Sequence, residues 1–105
     1  AKALGCNFVR LAHYPHSEVT LRLADELGLI VWSEIPVYWE QIAYGSPHTL
    51  ALARSMLADM IRRDRNRCAI GLWSVANETP VEEPRTRFLR TLIAESAIGE
   101  DGAQP

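Results

Sequence analysis

The apolar run Leu72-Trp73-Ser74-Val75-Ala76 ends on Asn77-Glu78 and is stopped by Thr79-Pro80. A carboxyl at the end of an otherwise buried strand loses part of its hydration, a setting that suits a general acid. The amide beside it can donate and accept hydrogen bonds without adding charge. Taken as a dipeptide alone, Asn77-Glu78 reads more readily as a turn or helix cap. Other polar residues also sit where apolar runs finish: Arg10 and His13 after Asn7-Phe8-Val9, and Glu34 after Leu29-Ile30-Val31-Trp32. In parallel α/β architectures the carboxyl ends of the strands gather on one face, where side chains leave the interior and can reach a ligand. Arg10, His13, Glu34, Asn77 and Glu78 then form one constellation.

Each member also has a plainer reading. A lone His in a loop is usually a local hydrogen-bonding residue, and Arg10 suits an ion pair with a buried carboxylate. His13 and His16 make a His-x-x-His pair, but no carboxylate or Cys completes a ligand set, so no metal is expected. Glu34 is the only strand-end carboxylate besides Glu78. Glu82, Glu83 and Glu95 fall on or beside the last helix and read as first-turn acids and a solvated face.

The elements that must position these residues alternate short apolar runs with amphipathic segments, which points to βα units and a parallel sheet. The first strand is expected over 7–11. Ser17 then caps a helix carrying Val19, Leu23, Ala24 and Leu27, with Gly28 as its stop. The second strand, 29–32, has the continuous apolar character of one buried on both faces. The stretch Val37 to Gly45, with Tyr38, Trp39 and Tyr44, either walls a pocket or packs over the end of the sheet. Ser46-Pro47 opens a long helix with Leu50, Ala53, Leu57, Met60 and Ile61 inward, ending at the basic turn Arg62 to Arg67. The third strand is expected over 68–76. Pro84 begins a final helix with Phe88, Leu89, Leu92 and Ile93 inward, and a frayed tail occupies 99–105. Trp73 points into or out of the sheet's concave side according to register.

With 105 residues, 48% hydrophobic and 23% charged, and a formal net charge of −2, the composition is that of one globular unit. The near-neutral balance offers no field for nucleic acid, and no apolar run is long enough for a membrane span, so neither partner is expected. Cys6 and Cys68 stand far apart, without metal spacing, and read as buried thiols; unpaired cysteines lean toward a reducing cytoplasm. The chain starts Ala1-Lys2-Ala3, without an initiating Met or a leader pattern, and is expected to be a piece of something longer. A doubly wound domain of the flavodoxin type would need a Gly-rich phosphate loop after the first strand, and Leu11-Ala12-His13-Tyr14-Pro15 is not one.

Asn7-Phe8-Val9-Arg10-Leu11-Ala12-His13-Tyr14-Pro15 followed by Asp25-Glu26-Leu27-Gly28-Leu29-Ile30-Val31 resembles the first signature of glycoside hydrolase family 2, the β-galactosidase, β-glucuronidase and β-mannosidase family. Arg63-Asp64-Arg65-Asn66-Arg67 running into Leu72 to Glu78 resembles the second, and the form Trp73-Ser74-Val75-Ala76-Asn77-Glu78 leans toward the β-glucuronidase branch. The resemblance implies a (β/α)₈ TIM barrel, of which residues 1–98 supply about three consecutive units, strands two to four. It also implies that Glu78 is the general acid/base, that Asn77 bonds the sugar's 2-hydroxyl, and that Arg10 and His13 line the subsite of the sugar being cleaved. The implied activity is retaining hydrolysis of terminal β-linked sugars without a cofactor. The nucleophile, the rest of the barrel and the accessory β domains would then lie outside this chain, and a homo-oligomer is possible. An inactive fragment with only structural or weak carbohydrate-binding character is the other reading. Three departures stand out: Leu11 replaces a small residue, Arg67-Cys68 replaces the commoner His-Pro, and no Glu-x-His magnesium pair follows Glu34.

Overall fold

The computed structural model describes residues 1–38, 42–80 and 83–100. After a short 3₁₀ turn the chain runs β1 (Phe8–Leu11), α1 (Glu18–Leu27), β2 (Ile30–Glu34), α2 (Pro47–Asp64), β3 (Ile70–Ser74) and α3 (Glu83–Glu100). The strands form one parallel sheet in the order β1-β2-β3. Each strand is joined to the next through a helix, as parallel pairing requires.

Local chemistry explains the boundaries. Ser17 and Ser46 cap α1 and α2 by accepting from the backbone N–H groups of Thr20 and Thr49, and Pro47 supplies a fixed φ at the first turn of α2. Gly28 ends α1 at φ 70°, a left-handed conformation that glycine adopts without steric cost. Ser46→Ala is expected to lower stability by about 1 kcal/mol, seen as a lower urea midpoint at unchanged slope.

Register decides which side chains meet. Val9, Val31 and Ile70 lie abreast, as do Leu11, Ser33 and Trp73, and these residues face the helices. Beneath α1, Leu21, Ala24, Leu29, Val31 and Ala69 close one apolar cluster. Beneath α2 and α3 a larger one joins Ile35, Leu57, Met60, Ile61, Phe88 and Leu92, with Trp73 packed against it. Trp73 therefore points to the helical layer. The other sheet face carries Phe8 beside Ile30, then Arg10, Trp32 and Leu72, then Glu34 and Ser74. The β2–β3 register shifts between Val31 and Trp32, where Gly71 is inserted. A Cβ at Gly71 would fall 2.5 Å from Cγ2 of Ile30, so a larger residue here would have to displace the Ile30 side chain.

Side-chain ties from the basic turn fix the sheet to its helices. Asp64, fully buried, accepts from Nε and Nη2 of Arg63 at 2.7 and 2.8 Å, and Arg63 also donates to the carbonyl of His16. The hydrogen bond to Asp64 is the main reason the Arg63 pKa is raised further. Asp25 on α1 accepts from the backbone N–H of Ala69 at 2.7 Å and faces Arg67, which anchors the entry to β3.

Several expectations are corrected. Cys6 and Cys68 are both exposed, because each sits in a turn ahead of its strand rather than within one. Of the expected stripe on α1, Ala24 is buried but Val19, Leu23 and Leu27 are exposed, and Leu21 joins Ala24 on the inner face of the helix. Its two adjoining stripes are both apolar, so spacing did not say which one meets the sheet. Ile93 is exposed while Phe88 and Leu92 carry the inner face of α3. β2 is covered along its helical face, while on the other face Ile30 is 48% exposed at the start of the strand and Glu34 is enclosed at its end. β3 is shorter than 68–76. Gly99 and Glu100 belong to α3, while Trp39, Glu82 and the tail residues 101–105 lie outside the described residues. Among the described residues no helix is long and apolar enough to cross a membrane.

Candidate functional site

β1 ends at Leu11 and β2 at Glu34, so Arg10, His13 and Glu34 arrive together at the carboxyl edge of the sheet. Glu34 is fully buried and is the hub of the cluster. Its Oε1 accepts from Nε and Nη2 of Arg10 at 3.1 and 2.7 Å, and its Oε2 lies 2.9 Å from Nδ1 of His13. The guanidinium balances the buried carboxylate, which otherwise would be a costly charge to enclose. The buried carboxylate that Arg10 suits is Glu34. The Arg10 Cζ also sits 4.6 Å from the centre of the Trp32 ring, within cation–π range.

The same Nη2 of Arg10 donates to Oδ1 of Asn77 at 2.7 Å. A guanidinium only donates, so this contact assigns the amide: its oxygen faces Arg10 and its NH₂ is turned away. The backbone N–H of Asn77 donates to the Val37 carbonyl at 2.8 Å, and Asn77 bridges Tyr38, whose ring lies 5.9 Å from that of His13. The loop after β3 is thereby stitched to the loop after β2.

Glu78 follows at φ 46°, in the left-handed region that non-glycine residues seldom occupy. Such strain, of order 1–3 kcal/mol, tends to cluster at functional sites. Glu78 is exposed, contrary to the expectation of partial burial. β3 ends at Ser74; Val75 and Ala76 still pack against the larger apolar cluster, and the chain reaches the surface only at Glu78.

Arg10, His13 and Asn77 are thus brought together around Glu34, with Glu78 adjoining Asn77. His16 is not part of the cluster: its Nε2 lies 3.1 Å from the Ala12 carbonyl and its ring stacks on Tyr14. Among the described residues no group of three or more His, Cys, Asp or Glu side chains could hold a metal ion. Sequence reasoning missed Trp32 and the central position of Glu34. The signal was available, because a parallel sheet places Trp32 beside Arg10, and Glu34 two residues on falls on the same face.

Of the aromatic segment after β2, Tyr44 walls a pocket, and its packing partner is α3 rather than the end of the sheet. Tyr44 packs edge-on against Phe88 with ring centres 5.2 Å apart, and with Pro47, Leu50 and Arg87 it lines a cleft of about 360 Å³ between the starts of α2 and α3. Burial pushes the Tyr44 phenol up, partly opposed by the charge of Arg85.

A parallel sheet with helices on one face and polar side chains collected at its carboxyl edge is a sector of a (β/α)₈ barrel, with the site where barrel enzymes carry theirs. The sequence profile of "Glycosyl hydrolases family 2, TIM barrel domain" matches residues 1–95, and the chain belongs to that family. It is 38% identical to the β-glucuronidase of Rattus norvegicus over 87% of its length and 14% of that protein's. It is 43% identical to the β-galactosidase of Thermoanaerobacter pseudethanolicus over 69% of its length and 9% of that protein's. The solved β-D-glucuronidase of Dictyoglomus thermophilum superposes with a TM-score of 0.87 at 31% identity, covering 95% of this chain and 19% of that one. The chain thus spans less than a fifth of the length of these relatives.

Proposed function

We propose that this chain is the acid/base-bearing sector of a retaining β-glycosidase, with Glu78 as the general acid/base and Arg10, His13 and Asn77 as sugar-binding groups. The observation that carries the reading is the hydrogen-bonded cluster of Arg10, His13 and Asn77 around Glu34, adjoining Glu78 at the carboxyl edge of the sheet. In the first step Glu78 donates its proton to the glycosidic oxygen as a second carboxylate attacks the anomeric carbon; in the second, Glu78 as carboxylate takes a proton from the incoming water. The NH₂ of Asn77, turned away from Arg10, suits a hydroxyl at C2. Retention needs the two carboxyls about 5–5.5 Å apart, and the second one is assigned to a part of the barrel outside this chain.

β-Glucuronides and β-galactosides are the first candidate substrates, a choice supported by the names of the relatives. The full-length protein carrying this sequence is expected to hydrolyse one or more of the nitrophenyl β-glucuronide, β-galactoside and β-mannoside, with the β-anomer as first product by NMR. First release of the α-anomer, or no hydrolysis across the panel, overturns the reading. A second reading, a piece without activity of its own, is favoured by the open sheet face, where Phe8, Ile30 and Leu72 are 44–48% exposed and call for further barrel to cover them. On that ground residues 1–105 alone are expected to be inactive on the same panel.

A further inference from the structure

We propose that Glu34 is a positioning residue that fixes the tautomer of His13, holding the ring proton on Nδ1 so that Nε2 is presented to the sugar as a hydrogen-bond acceptor. The proposal rests on the reading in which His13 touches the sugar and goes beyond it in assigning which partner donates.

Glu34 has no exposed surface, and both its oxygens are committed: Oε1 to the two N–H groups of Arg10, and Oε2 to Nδ1 of His13 at 2.9 Å. A carboxylate only accepts, so the hydrogen atom in the second contact belongs to the imidazole. In neutral imidazole one nitrogen carries the proton and the other is bare, and the hydrogen bond made by one sets the role of the other. With Nδ1 protonated, Nε2, on the far side of the ring from Glu34, keeps its lone pair. The His13 side chain is 43% exposed, so the ring has an open side to offer. Tyr38, tilted 51° to the ring, restrains its plane. The group that meets Nε2 must therefore bring a hydrogen, as a sugar hydroxyl does.

Glu34→Gln reverses this logic while keeping the size of the side chain. Arg10 still requires an acceptor, so it holds the amide oxygen, and the amide NH₂ is left facing His13. Nδ1 must then accept, the proton moves to Nε2, and the sugar side of the ring becomes a donor.

The test uses the full-length protein labelled with ¹⁵N-histidine, studied at about pH 8.5, well above the ordinary histidine range; His13→Gln identifies the signal. Solid-state ¹⁵N spectra are expected to show Nδ1 protonated and Nε2 bare in the unaltered protein, and the reverse in Glu34→Gln. In the same variant KM for a nitrophenyl glycoside is expected to rise on the order of tenfold with kcat within about threefold, since a hydroxyl contact is made in both ground and transition states. A merely structural loss would lower the active fraction, hence kcat, at constant KM, and that result overturns the proposal. So does Nε2–H in the unaltered protein, a measurement that stands even if the variant does not fold. Failure of the unaltered protein to hydrolyse any glycoside would defeat the functional reading and leave the tautomer result intact.

Discussion

Glu78→Gln in the full-length protein is expected to lower kcat/KM on alkyl β-glycosides by about 10²–10⁴-fold, the usual contribution of a positioned proton donor. That range corresponds to about 3–5 kcal/mol of lost transition-state stabilisation. The size of the loss should follow the leaving group. An alkoxide is too basic to depart without a proton, whereas nitrophenolate departs readily as the anion, so nitrophenyl glycosides should lose far less in the step that forms the glycosyl-enzyme. Their hydrolysis should then be limited by the second step, where the amide cannot accept the proton of water, and a burst of nitrophenol should appear. Glutamine leaves shape almost unchanged and Glu78 is exposed, so folding should not be affected. Equal losses for both leaving groups with no burst, or turnover near that of the unaltered protein, would remove Glu78 from the proton-transfer role.

The sequence made the strand–helix alternation readable because each boundary carries its own chemistry: Ser17 and Ser46 as caps, Pro47 in the first turn, Gly28 at the left-handed stop. The family and its barrel were readable for a different reason. Residues 7–15 and 72–78 are two strands with their carboxyl ends, which meet at the candidate site, so one geometry governs both stretches. What spacing could not supply was the choice between neighbouring faces. Leu23 and Ala24 both suit the inner side of α1, and only docking against Val31 and Leu29 selects Ala24. The pairing of Glu34 with Arg10 follows from register, but its complete burial depends on His13 and the loops that close over the strand end, which spacing does not supply. Glu78 shows the converse. It closes an apolar run, yet the extra residues between Ser74 and Glu78 carry it into the open.

Arg10→Met is expected to destabilise the protein by about 3 kcal/mol, with the loss originating in a residue that is not changed. The guanidinium is 34% exposed, but the carboxylate it serves is wholly buried, and removing one partner of such a pair leaves a charge enclosed without its counterion. Breaking buried pairs costs about 3–5 kcal/mol; the expectation sits at the lower end because His13 remains on Oε2 and Arg10 is partly solvated. The methionine keeps much of the contact with Trp32, so lost packing is a minor part. The double variant Arg10→Met with Glu34→Gln replaces the buried charge by a neutral amide and should recover at least about 1 kcal/mol relative to the sum of the single changes. Urea denaturation of the four proteins measures this coupling directly. Strict additivity would mean that Arg10 and Glu34 do not depend on each other for stability. A positive coupling would tie three elements together through one carboxylate, because Arg10 also holds Asn77 by its Oδ1 and Asn77 leads directly into Glu78. Stability and the placement of Glu78 would then have a common origin in the charge buried at the end of β2.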